Sequence, residues 1–356
     1  MKKYSIFLLA AACAATITAC GRDKIISTGN QKIDGAVYND ETISLAPYTG
    51  LTAVKNNYKV TDKALDRAIH EQLSDYINYQ TVKRAAKDGD VVEADYTITI
   101  DGETYDEDKG YNFTIGQQEY GAEFDQKLTG VSAGDELNFS LTYDKNYLDV
   151  DFAGHTADFI IKINKVQEEI MPDTTDEFIK EHFEYDTYDA FEKSIRKSLE
   201  DEYKEESSNE LSEELLQQII DASSILQYTQ GEYDDAYKEI KDVYASYADM
   251  LGTDLASIYD SFEVTKESLK TEALDNLYRT LVINAIIENE KLTLSDDEYE
   301  NGISDYMKIN DYDSKEEFIE QYGEDEIRQQ LLEDKAVNFI VENAKVTEVD
   351  TDYDNS

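Results

Sequence analysis

The apolar residues of this chain change their spacing at Pro172, and the change divides it into two kinds of fold. Before it, Val92, Ala94, Tyr96, Ile98 and Ile100 alternate with Glu93, Asp95, Thr97 and Thr99, the period-two pattern of a half-buried strand. After it, Phe191, Ile195, Leu199 and Tyr203 recur every fourth residue, as on one face of a helix. The switch predicts an α+β chain: a small antiparallel sheet with one packed helix, followed by an all-α domain of helical arms.

Within the sheet region, Asp101-Gly102 signals a hairpin. A second strand and loop run from Tyr105-Asp106 to Tyr111, with further strands at 112–115, 137–143 and 159–166. Residues 118–128 read as a short helix with Phe124 and Leu128 one turn apart. Upstream lie a strand-like stretch at 50–54, a helix capped by Thr61 with Leu65, Ile69 and Leu73 on one side, and a basic run at 83–89. Beyond Pro172, Thr174 with Glu177, Ser295 with Glu298 and Ser314 with Glu317 have capping-box spacing. The first helical stripe resumes after a polar break as Leu211, Leu215 and Ile219; a Gly231 turn leads to Tyr233, Tyr237, Tyr244 and Tyr247, and Thr265 opens the next helix. Val346-Thr347 is extended again.

The amino terminus carries Lys2 and Lys3, an apolar run over 4–15, then Ile17-Thr18-Ala19-Cys20 and an abruptly polar continuation. Charge, short apolar segment and small residue are the parts of a secretory signal. The run is shorter than the ~20 residues of a membrane span, which weighs against a spanning helix with an incidental cysteine. Ile17-Thr18-Ala19-Cys20 resembles the lipobox of bacterial lipoproteins, which implies cleavage after residue 19, a diacylglyceryl group on Cys20, and a protein held on the outer face of the cell membrane. Two acyl chains suffice for stable anchoring.

Cleavage there removes two lysines and no acids, taking Lys+Arg from 33 to 31 against 79 Asp+Glu and the formal charge from -46 to -48. Phosphate backbones repel such a polyanion, so nucleic acid is excluded as a partner. The acid either attracts basic, unfolded or newly exported chains or keeps a client-binding surface soluble. With Cys13 removed and Cys20 acylated, no disulfide framework forms.

The sheet region's distinctive content is aromatic: Tyr96, Tyr105, Tyr111, Phe113, Tyr120, Phe124, Tyr147 and Phe159, with the acid Asp106. In that order, with Gly89-Asp90-Val91-Val92 opening the first core strand, Tyr105-Asp106 following, and Gly130 and Ala133-Gly134-Asp135 marking a later turn, the segment resembles the FKBP-type prolyl isomerases over about 80 residues. The resemblance implies a catalytic pocket of Asp106, Phe124 as floor, Tyr147 and Phe159. Tyr96, Tyr105, Tyr111, Phe113, Tyr120 and Gly121 would be substrate-binding, the Gly121 backbone amide meeting a substrate carbonyl. Two departures stand out: Gly121 removes an apolar wall, and Glu123 replaces the glycine expected before the floor ring. Neither cofactor nor metal is implied, since twisting an X-Pro bond needs only the loss of amide resonance. A dry pocket favours the twisted amide over the planar one.

Residues 46–347 in order (strand, capped helix, basic run, isomerase-like sheet, Pro172, helical arms with Leu292-Thr293-Leu294-Ser295) resemble trigger factor. Its ribosome-docking domain has no counterpart here, so no ribosome partner is expected. The resulting organisation is a signal peptide at 1–19, lipidated Cys20 and flexible tether at 20–45, linker strand and helix at 46–88, isomerase domain at 89–169, helical chaperone domain at 170–347 and acidic tail at 348–356. The expected partners are unfolded, proline-containing polypeptides and, through Cys20, the lipid bilayer. The alternative is a holdase that binds clients with an inactive isomerase fold. A solute-binding lipoprotein would need two lobes of alternating strand and helix. Among rejected signals, Ser74 stands where a zinc helix begun by His70-Glu71 needs its second histidine. Ala153 and Ile160 break the calcium-loop likeness of Asp149, Asp151 and Gly154.

Overall fold

The structure, a computed structural model, describes residues 24–145, 147, 149, 151–262 and 264–353. The chain forms two compact units, one from Val60–Leu199 and one from the chain on either side of that segment. Cys20 and the expected signal lie outside the described residues.

Where the sequence suggests a tether over 20–45, residues 24–45 carry strands: β1 (Ile25–Ser27), β2 (Tyr38–Asn39) and β3 (Ile43–Leu45). β1 pairs antiparallel with Gln227–Thr229, and β3 with β2 and with Ser224–Ile225. Ile43, Leu45 and Tyr48 are buried in the core of the helical unit. β4 (Thr52–Lys59) pairs in parallel with Lys345–Asp352, so part of the expected acidic tail is also a strand.

The sheet unit opens with α1 (Asp62–Gln72), whose cap Thr61 accepts a hydrogen bond from the Ala64 amide at 3.1 Å. Strands β5 (Asn78–Val82), β6 (Val91–Ile100), β7 (Glu103–Thr114), β8 (Glu136–Thr142) and β9 (Thr156–Ile170) form one antiparallel sheet, in which β9 pairs with β5, β6 and β8, and β6 also with β7. The expected alternation holds along β6: Val92, Ala94, Tyr96 and Ile98 are buried, their neighbours less so. Asp101 and Gly102 both have positive φ, as a tight hairpin turn requires. The two strands expected at 105–115 are one, because an irregularity opposite Asp95 absorbs the loop, with the Gly110 amide donating to Asp95 Oδ1 at 3.0 Å. The short helix starts later than expected, as α2 (Ala122–Leu128). α3 (Asp176–His182) is capped by Thr175 rather than Thr174. Its Ile179, with Phe191, joins Leu65, Ile69 and Leu73 of the α1 region in a second core, which ties residues 170–199 to this unit.

α4 (Tyr188–Ala222) runs straight through the expected polar break. Ser208 and Ser212 bond back to the carbonyls of Lys204 and Ser208 at 2.8 and 2.9 Å, satisfying their hydroxyls without leaving the helix. After β10 (Ser224–Ile225) and β11 (Gln227–Thr229), α5 (Gln230–Leu251) takes Gly231 into its first turn behind a Thr229–Glu232 capping box. α6 (Leu255–Ser261), α7 (Lys266–Glu290), α8 (Asp296–Ile309), α9 (Lys315–Tyr322) and α10 (Glu324–Glu342) follow, then β12 (Lys345–Asp352). Ser295 with Glu298 forms its box, and Ser314 accepts from the Glu317 amide. One core joins α4, α7, α10 and β3, and a smaller one joins α8, α9 and α10 around Phe318.

Candidate functional site

Strand alternation and α2 together build a box of rings. β6 supplies Tyr96, β7 Phe113, β9 Phe159 and α2 Phe124, and all four are buried. Ring centroids lie 5.2 Å apart for Tyr96–Phe113, Phe113–Phe124 and Phe124–Phe159, tilted or edge-to-face as ring quadrupoles prefer. Tyr111 packs 4.9 Å from Phe113 and donates to Glu119 Oε1 at 2.7 Å. The structure therefore brings together Tyr96, Tyr111, Phe113, Tyr120, Phe124 and Phe159, the core of the expected pocket.

Asp106 sits beside this box. The Tyr96 hydroxyl donates to Asp106 Oδ2 at 2.5 Å, which orients the phenol against the inner face. Burial, and then this hydrogen bond, raise the Tyr96 phenol far above its ordinary value, so it remains a proton donor at any physiological pH. Tyr105 is 43% exposed and lies outside the box; it packs on Phe152 at 5.1 Å, and its hydroxyl donates to Asp151 at 3.2 Å. Burial first, then Asp149, push Tyr105 up to about 12. Tyr147 stands at the rim, 4.6 Å from Tyr143.

Gly121 departs from its expected role. Its amide donates to the Gln118 carbonyl at 2.8 Å, closing a turn instead of facing a ligand. The turn holds Gln118 at φ 55 and Gly121 at φ 88, a conformation glycine adopts without strain. A Cβ at Gly121 would lie 3.1 Å from the Tyr147 hydroxyl, so the missing wall is the space Tyr147 uses. Glu123, where a glycine was expected, falls in the first turn of α2, where an acid complements the helix dipole; Gly116 and Gly121 do the turning.

Two side chains escaped the sequence reading. Phe152, 1% exposed, lies within the acidic stretch that imitates a calcium loop and packs 5.6 Å from Tyr120 and 4.9 Å from Tyr143. A lone phenylalanine among aspartates was the available signal. Asp125 is buried beside the floor ring, and its Oδ2 accepts from the Gly116 and Gln118 amides at 2.8 and 3.0 Å, clamping the base of the turn. Of the histidines, His70 pairs with Glu169 at 3.0 Å and His155 with Asp101 at 2.8 Å.

An antiparallel sheet, a short helix carrying the floor ring and a tyrosine–aspartate pair at the box define a domain of the FKBP type, and residues 82–166 match the family described as FKBP-type peptidyl-prolyl cis-trans isomerase. Residues 187–342 match the bacterial trigger factor protein C-terminus. The chain is thus a trigger-factor-like protein with an FKBP-type domain, its sheet unit followed by helical arms. The trigger factor of Finegoldia magna is 26% identical over 334 residues, 91% of this chain and 76% of that relative. That of Desulfosudis oleivorans is 26% identical over 359 residues, covering 93% and 80%. A solved trigger factor chaperone overlaps 90% of this chain and 78% of its own at 16% identity and a TM-score of 0.41, too loose to add to the fold.

Proposed function

We propose that this protein is a foldase: its sheet unit isomerises X-Pro bonds in unfolded polypeptides, and its helical unit holds those chains. The observation that carries the reading is the box of Tyr96, Phe113, Phe124 and Phe159 with Asp106 bonded to Tyr96. A prolyl ring on such faces leaves water, where the twisted amide, with less charge separation, is favoured. The unaided step takes tens to hundreds of seconds, so modest stabilisation is measurable. The helical unit exposes Met250, Leu251 and Phe262, apolar surface of the kind unfolded chains offer partners for.

The proposal includes location. The run ending at Cys20 supports a lipid anchor on the outer face of the cell membrane, and newly exported proteins are then the clients; ribosome binding is not part of this function. Loss of fatty-acid label in Cys20→Ser tests the anchor.

A second reading, a binding-only holdase, is favoured by one specific observation: the Gly121 amide is committed to Gln118. Isomerase rate on a proline tetrapeptide and aggregation suppression, measured together on the full-length protein in detergent, separate the two. Tyr147→Ala is expected to lower the rate about tenfold, equivalent to about 1.4 kcal/mol, while sparing suppression. A parent with no isomerisation but intact suppression selects the holdase.

A further inference from the structure

The ring box is already occupied, and by the chain itself. The Tyr120 ring lies 5.2 Å from Phe124, 5.6 Å from Phe152, 5.7 Å from Phe159 and 6.3 Å from Phe113, centroid to centroid. A ring centred at those distances from four others, edge-to-face or tilted against each, fills the space an incoming prolyl ring would need. The box is a site for one ring, and that ring is Tyr120. Its seat is built on the same turn that engages the Gly121 amide: Asp125 holds the base through Gly116 and Gln118, and the Tyr143 hydroxyl donates to the Tyr120 carbonyl at 2.9 Å. The turn carries left-handed residues on either side of Tyr120, at Gln118 and Gly121, and Tyr120 itself is only partly buried.

We infer that Tyr120 is an intramolecular plug, and that the box admits a prolyl ring only when residues 119–121 swing out, which empties the box and frees the Gly121 amide in one movement. The inference rests on the isomerase reading for its ligand, but the occupancy stands apart from catalysis. A site open for only a fraction of the time binds with an affinity reduced by that fraction. Tyr120 therefore sets both how tightly and how selectively the box takes a ring, and a client that supplies its own contacts to the turn would bind better than a short peptide.

The test uses the full-length protein and one proline-containing tetrapeptide, with binding followed by NMR and isomerisation by exchange between the cis and trans signals. Tyr120→Val shortens the plug and is expected to tighten peptide binding about tenfold and to raise the rate in step. Tighter binding with no isomerisation in either protein upholds the plug and overturns the isomerase reading. A folded Tyr120→Val that binds no tighter, or more weakly, overturns the plug, because Tyr120 is then wall and not occupant. Should Tyr120→Val fail to fold, Tyr143→Phe decides: it keeps the ring and removes the clamp on the Tyr120 carbonyl. A smaller rise in affinity is expected, and no rise overturns the proposal.

Discussion

The sheet unit gathers its rings, and the helical unit spreads them out. In the first, Phe113, Phe124, Phe152 and Phe159 share one continuous core with most of the sheet's inner face. In the second, Tyr228 of β11 and then Tyr233 and Tyr237 of α5 follow one another with centroids 6.4 and 6.2 Å apart, and Tyr247 meets Phe262 at 6.1 Å. A box of packed rings suits the recognition of one ring by shape. A line of half-exposed rings along a helix offers contact to many chains without selecting among them, and it tolerates local change that the box would not.

The contrast is broken most severely from inside the box. Phe159 is fully buried, and Phe159→Ala is expected to destabilise the sheet unit by about 3–5 kcal/mol. Calorimetry should show one transition moved down and the helical one unmoved; a single shared transition would remove the distinction between the units. A smaller effect sharpens the comparison from the other side. Gly302 in α8 has no room for a side chain, because an added Cβ would overlap Leu331 of α10. Gly302→Ala should cost the helical unit about 1–3 kcal/mol by overpacking, and combining it with Leu331→Ala should recover part of that, a coupling that a double-mutant cycle reads directly.

The smallest effect is invisible at neutral pH. Burial raises the phenols of Tyr96, Tyr120 and Tyr143 from their ordinary 10.0. A group whose folded value lies above its unfolded one contributes its full stability below the unfolded value and loses it as pH rises. Stability of the sheet unit should therefore fall above pH 10.0. Phenolate absorbance and circular dichroism should change together there; ionisation of these phenols in a still-folded unit would contradict their burial.

Much of the sheet was legible because its strands are long enough to show a period: Val92 to Ile98 alternate over a single element, and the Asp101-Gly102 turn announces itself. The rings of the box could be named for a different reason, the resemblance of their order along the chain to the FKBP-type isomerases. β1 to β3 were not legible, since strands of three residues or fewer carry no period and their partners, such as Ser224–Ile225, are remote in sequence. Nor could the place of Tyr120 be read. It depends on a left-handed conformation at Gln118, a residue type that gives no warning of it, and on an acid, Asp125, whose carboxylate faces inward. The polar break expected between Tyr203 and Leu211 does not interrupt α4, where the Ser208 hydroxyl returns to the helix's own Lys204 carbonyl.

The parallel pairing of β4 with β12 joins Thr52–Lys59 to Lys345–Asp352, and residues as far apart as Asn57 and Glu348, 291 positions along the chain, are hydrogen-bonded across it. Non-local pairing of this kind is slow to form. All partners within Val60–Leu199 are contiguous, so as the polypeptide emerges from its amino end that segment can finish folding while β4 still waits for a strand not yet made. The helical unit cannot be completed until β12 has been made. A truncation that removes only β12 would leave the sheet unit folded and β4 without its parallel partner.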